Sequence, residues 1–158
     1  MRLVRLIYAS RSVRMLPMGE MVSLLEQCRQ KNQELDITGM LAFSRDGFLQ
    51  VLEGGSENVN ALYHRIAADP RHHQLALLGF GEVVEREFPD WSMAGLDVVG
   101  LEASRRAATL LRHGTSAVFN PFTMSASAAL RLLVAWRSEL MPCAGREPRI
   151  PEDALEEA

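Results

Sequence analysis

The sequence predicts an α+β fold whose core runs strand, helix, two strands, helix, two strands, followed by a pair of helices. Three observations carry this. Apolar residues alternate with period two at the start of the chain, across the middle and before residue 100. Between them lie two stretches with apolar spacing of three and four. Turn formers and helix breakers, Asp46-Gly47, Gly54-Gly55 and Pro70, stand at the joins.

Leu3 to Ser10 reads as the first strand, with Val4, Leu6 and Tyr8 on one face and Leu3, Arg5 and Ile7 on the other. Met18 to about Lys31 repeats Met21, Leu24, Leu25 and Cys28 as the stripe of an amphipathic helix. Asp36 to Gly55 forms two strands joined at Arg45-Asp46-Gly47, where Asp-Gly supplies the dihedrals of a tight hairpin. Both faces of the second hairpin strand are apolar: Phe48 and Leu52 share one with Gln50, and Leu49 and Val51 share the other. A glutamine there needs partners, since an unsatisfied buried amide costs roughly 1–3 kcal/mol. Gln50 is therefore the first site candidate.

Ser56 is placed to cap a second helix that runs through Asp69, with Val59, Leu62, Tyr63 and Ile66 as its stripe and Pro70 as its stop. Leu75 to Val84, interrupted by Gly79 and Gly81, and Trp91 to Val99 complete the strands. The order matches a ferredoxin-like sheet with one extra strand, in which strands one and three are neighbours and both helices cover one face. The opposite face must then be covered by the C-terminal part, within the chain or across a dimer. That part carries Ala103 to Leu111 and Met124 to about Met141, where Ala129, Leu132, Leu133, Trp136 and Leu140 form a stripe. The expected organisation is a core over 1–100, a helical extension over 101–141, and a polar, flexible tail over 142–158.

Composition narrows the function. With 158 residues, 47% hydrophobic content and a net charge of −3, the chain is sized for one domain with a real core. The absence of basic tracts and zinc-finger spacing argues against direct nucleic-acid binding, and no stretch has the length and apolarity of a membrane span. The N-terminus lacks signal-peptide character, so the cytoplasm is the expected compartment. Cys28 and Cys143 are far apart without ligand spacing, and His64, His72, His73 and His113 read as surface or capping residues rather than metal ligands. Neither a nucleophile elbow nor paired acids for sugar chemistry is evident, so an enzyme is not expected.

What remains is a polar set against the core. Tyr8 and Gln50 lie on neighbouring strands on the helix-covered face, Asn32 ends the first helix, and Arg65 and Asp69 share a side of the second at i,i+4 spacing. Together they line a cleft between the helices, or else they are satisfied core residues, a C-cap and a surface ion pair. The residues alone leave both readings open.

These residues sit in motifs that resemble the BLUF family, flavin-binding sensors of blue light, in its short single-domain form. The resemblance spans about Leu3 to Val99. It rests on Leu6-Ile7-Tyr8-Ala9-Ser10, Asn32 followed by Ile37-Thr38-Gly39, and Phe48-Leu49-Gln50-Val51-Leu52-Glu53-Gly54. Arg65 with Asp69-Pro70-Arg71-His72, and Phe88-Pro89-Asp90-Trp91-Ser92-Met93, complete it. By that resemblance an oxidised flavin, FAD first with FMN or riboflavin as alternatives, lies between the two helices. Asn32 would bond its ring edge, Arg65 and Asp69 would hold the ring or the phosphate-bearing chain, and Lys31, where the family often has Asn or His, would approach that chain as a point charge.

Tyr8 and Gln50 would be the photoactive pair. The tyrosine would supply an electron and a proton, the glutamine would rotate or tautomerise, and absorption would shift slightly to the red without substrate turnover. Trp91 and Met93, taken as lying on one face of the last strand, would relay the change to the C-terminal helices and so to a separate signalling protein. A homo-oligomer, by default a dimer, is expected from the two apolar sheet faces and from Leu130 and Val134. The competing reading is a ferredoxin-like protein-interaction or small-ligand-binding module without photochemistry, and a flavin redox enzyme ranks behind it.

Overall fold

The computed structural model of the chain describes residues 1–140 except Met15, Asp46, Gly114 and Thr115. The elements are β1 (Leu3–Ser12), α1 (Met18–Glu34), β2 (Thr38–Phe43), β3 (Gly47–Gly55), α2 (Ser56–Ala68), β4 (His72–Glu82), β5 (Ala94–Asp97), α3 (Ala103–His113) and α4 (Ala126–Leu140). The expected tail and the Asp46 position of the hairpin turn lie outside the described residues.

The five strands form one sheet in the order β4-β1-β3-β2-β5, antiparallel except for the parallel β2–β5 pair. This is the ferredoxin-like βαββαββ arrangement. Its register sets Tyr8 directly opposite Gln50 in the β1–β3 pair, so both side chains leave the same face as neighbours. That face is closed by α1 and α2: Val4, Leu6, Tyr8, Leu41, Phe48 and Leu52 form a core with Met21, Leu25 and Val59. Every residue of β2 and β3 is buried, as expected of strands covered on both sides.

The opposite face is covered within the chain. Ile7, Met40, Leu49, Val51 and Leu96 pack against Leu110 of α3 and against Ala129, Leu132, Leu133 and Trp136 of α4, all four fully buried. Leu130 and Val134, expected to be spare apolar positions for self-association, are half-buried against the same core. That expectation is corrected: wrapping α4 onto the sheet uses more of its circumference than one stripe.

Gly39 is required by close approach. A Cβ on it would lie 2.0 Å from the Val51 carbonyl oxygen, and its own N–H donates to the Trp91 carbonyl at 2.9 Å. Asp36 has φ of 51°, a left-handed conformation that aspartate tolerates, and it turns the chain from α1 into β2. Ser56 does not cap α2: Gly55 occupies the N-cap position, and the Ser56 hydroxyl accepts from Arg2 at 3.3 Å. Among the described residues no helix is long and apolar enough to cross a membrane.

Candidate functional site

Tyr8 and Gln50 stand on the floor beneath α1 and α2, exposed by only 2% and 6%. The Tyr8 hydroxyl donates to Gln50 Oε1, and Gln50 Nε2 donates to the Met93 sulfur at 3.3 Å. Both ends of the amide are thereby engaged, which answers the demand for partners in a buried strand. The Tyr8 ring also meets Tyr63 of α2, with centroids 5.5 Å apart. Burial pushes the Tyr8 phenol far above its ordinary pKa, and the nearby Cys28, Tyr63 and Asp69 act in the same direction. Tyr8 is therefore the neutral phenol near neutral pH.

Above this floor a cleft of about 150 Å³ runs between the helices. Leu24 and Cys28 of α1 and Leu62 and Ile66 of α2 give it apolar walls, and Lys31, Asn32, Arg65, Asp69 and Arg71 give it a polar rim. Half-buried leucine and isoleucine walls beside three cations and one acid suit a flat heteroaromatic ring carrying a phosphate chain. Tyr8 and Gln50 themselves do not line this cleft; Leu24, Leu62 and Ile66 of its walls pack against the core that contains Tyr8.

Lys31, Asn32, Arg65 and Asp69 all line this cleft. Asn32 is buried in the last turn of α1, where Nδ2 donates to the Ser92 carbonyl at 2.8 Å, so it is no C-cap. Arg65 and Asp69 do not pair. Asp69 leaves the helix with extended backbone, so the i,i+4 relation no longer holds, and its carboxylate pairs with Arg71 at 2.5 Å.

Hydrogen bonds from Arg71 hold the Asp69 carboxyl down to about 2. A depressed acid contributes stability that is present above its unfolded pKa, near 4, and is lost as pH falls from 4 through 2. We expect Asp69→Asn to flatten this acid limb by roughly 0.5–1 kcal/mol, the scale of a part-exposed pair, in urea titrations between pH 6 and 2.

Trp91 and Met93 are brought to different sides. They were expected on one face of a strand beginning at Trp91, but β5 begins at Ala94. The approach to it is pinned instead by Gly39 N to Trp91 O, Asn32 to Ser92 O, and Arg29 Nε to Met93 O at 2.8 Å, so strand alternation does not apply. Met93 joins the Tyr8 core, and Trp91 joins the core beneath the C-terminal helices, 6.1 Å from Phe88 between ring centroids.

Sequence reasoning also missed Arg29 and the place of His72. The latter, read as a surface or capping residue, is half-buried with Nδ1 3.1 Å from Ser10 Oγ and its ring edge-on to Phe48. Burial lowers its pKa, which favours the neutral ring. An alternation test would have flagged it, because Ser10 continues the Tyr8 face of β1. Among the described residues no group of three potential metal ligands occurs.

Comparison with known proteins agrees with this geometry. Residues 3–94 match the family described as BLUF, sensors of blue-light using FAD. The photoactivated adenylate cyclase subunit beta of Euglena gracilis is 38% identical over 63 residues, which cover 40% of this chain but only 7% of that protein. The dark-state structure of BlrB, a BLUF protein, is 28% identical with a TM-score of 0.67, covering 85% of this chain and 97% of BlrB. Klebsiella pneumoniae BlrP1, solved with FMN and cyclic diGMP, is 29% identical with a TM-score of 0.64, covering 88% of this chain and 36% of BlrP1. With its fold, its Tyr8–Gln50 hydrogen bond and a family match from the first strand to the start of the last, the chain belongs to the BLUF family of flavin-based blue-light sensors, a sensory rather than catalytic module.

Proposed function

We propose that the chain holds FAD in the α1–α2 cleft, converts blue light into a rearranged hydrogen-bond pattern at Tyr8 and Gln50, and passes it to a separate signalling protein. The observation that carries this is the hydrogen-bond chain from Tyr8 through Gln50 to Met93 beneath the cleft. FAD is put first because the family description names it, with FMN, which BlrP1 was solved with, as the alternative. A bound oxidised flavin absorbs blue light and, once excited, accepts an electron and a proton.

The chain's own residues do the rest. Lys31, Arg65 and Arg71 offer charge to a phosphate chain, Asn32 and Asp69 orient the ring edge, and the apolar walls exclude water. Tyr8 gives up an electron and releases its proton toward Gln50 Oε1, the amide can then turn or change tautomer so that donor and acceptor exchange places, and the electron and proton return to Tyr8, leaving only the hydrogen bonds changed and no net redox change. Met93 loses its donor when that happens. Trp91, on the far side of the same short segment, carries the change into the C-terminal helices. Residues 1–100 serve as sensor and 101–141 as output. One or two hydrogen bonds, worth a few kcal/mol at most, suffice to bias such an element between two states.

A cytoplasmic setting and a homodimer belong to the same proposal. With the second sheet face covered, support for self-association rests on β4, a sheet edge with Leu77 and Phe80 exposed. Absorption spectra of the purified protein in the dark, under blue light and through recovery test the reading. A flavin spectrum that moves to the red without bleaching and then returns is expected. Irreversible bleaching would favour redox chemistry, and a colourless protein that refuses added flavin would leave a ligand-binding or interaction module.

A further inference from the structure

β3 carries a second buried polar side chain, three residues beyond Gln50 and on the opposite face. Glu53 is fully buried, and its carboxylate accepts three hydrogen bonds: from Arg5 Nε at 2.8 Å and Glu87 N at 3.1 Å on Oε1, and from Phe88 N at 3.1 Å on Oε2. The backbone carbonyl of Glu53 accepts from Arg86 at 3.2 Å. One residue of the sheet thus fastens three consecutive residues of the segment leading to Trp91.

The same segment is held from the other side by α4. Arg137 donates to the Glu87 carbonyl, and its guanidinium lies over the Phe88 ring, 5.3 Å from the centroid. Phe88 packs against Trp91. A continuous set of contacts therefore runs from the strand that bears Gln50 to the end of the last described helix, without passing through Met93 or β5.

A buried carboxylate is costly unless fully hydrogen-bonded, and here two of the three bonds it accepts fix residues 87 and 88 to β3, while the third comes from Arg5 of the neighbouring strand β1. Packing alone would be served by an apolar residue. We infer that Glu53 is a positioning residue for signal output: it couples β3 to α4 through residues 86–88 and Arg137, so that a rearrangement at Gln50 reaches α4. This rests on the photoreceptor reading above.

Glu53→Gln tests it. The amide places an NH₂ against backbone or guanidinium donors that the carboxylate satisfied, so the staple to residues 86–88 is broken while the volume is kept. Arg137→Leu breaks the far end and carries the test if the first variant fails to fold. Full-length protein, flavin-loaded, is followed by absorption and by hydrogen exchange in the dark and under light.

Both variants are expected to show the wild-type red shift, whereas the light-minus-dark exchange difference over α4 falls by about fivefold or more, the lower end of ordinary coupling. A full-size difference over α4 in either folded variant would overturn the inference. So would loss of the red shift in Glu53→Gln, which would place Glu53 in the photochemistry instead. A wild-type protein with no red shift would instead remove the photoreceptor reading, and the inference with it.

Discussion

Tyr8→Phe is expected to keep flavin bound and to lose the red-shifted photoproduct. Phenylalanine preserves the ring that packs on Tyr63 and the volume beneath the cleft, and it removes only the hydroxyl that donates to Gln50. The phenol is held far above its ordinary pKa, chiefly by burial, so wild-type Tyr8 is neutral in the dark across the neutral range. Loss of an electron makes a phenol strongly acidic, and its proton has Gln50 Oε1 in line to receive it.

Phenylalanine has no proton to give and is a poorer electron donor. The photoproduct yield should fall by about a hundredfold or more, the scale on which a positioned proton donor acts. Light-minus-dark absorption of the yellow variant measures it, and a normal, reversible red shift would sink the role given to Tyr8. The same burial has an alkaline signature. A group whose folded pKa is raised gives stability that is complete below its unfolded pKa, about 10 for tyrosine, and is lost as pH rises beyond it. Tyr8→Phe should remove that part of the alkaline unfolding limb.

The Tyr8–Gln50 pair was legible in the sequence because two local rules decide it. Alternation fixes the face, and an antiparallel neighbour fixes the distance. The coverage of the second sheet face followed from the same logic, since Leu49, Val51 and Ile7 need partners and the Ala129 to Trp136 stripe offers them. What failed lies where regular structure ends. Trp91 and Met93 precede β5, so hydrogen bonds from Gly39, Asn32 and Arg29, each distant in sequence, decide which way they turn. Asp69 closes α2 and pairs forward to Arg71 for the same reason. Glu53 carried the signal that exposed Gln50, a polar residue in a strand buried on both faces. Its partners, the backbone N–H groups of residues 87 and 88, leave no trace in side-chain pattern.

Gln50→Leu is expected to abolish the photoproduct as completely as Tyr8→Phe, and the pair of changes together should be milder in stability than their sum. Leucine removes the acceptor for Tyr8 and the donor to Met93 at once. The hydroxyl of Tyr8, a residue only 2% exposed, is then left without that partner, at a cost of roughly 1–3 kcal/mol. Tyr8→Phe leaves the Gln50 carbonyl oxygen in a similar position. In the double variant neither orphan exists, because an apolar ring faces an apolar chain of comparable size. Replacing both partners of a buried hydrogen bond can be nearly neutral. Urea denaturation of the four flavin-free proteins should therefore return a coupling of about 1–2 kcal/mol. Additive single changes would mean that the hydroxyl and the amide do not depend on each other in solution, and the proton would need another route out of Tyr8.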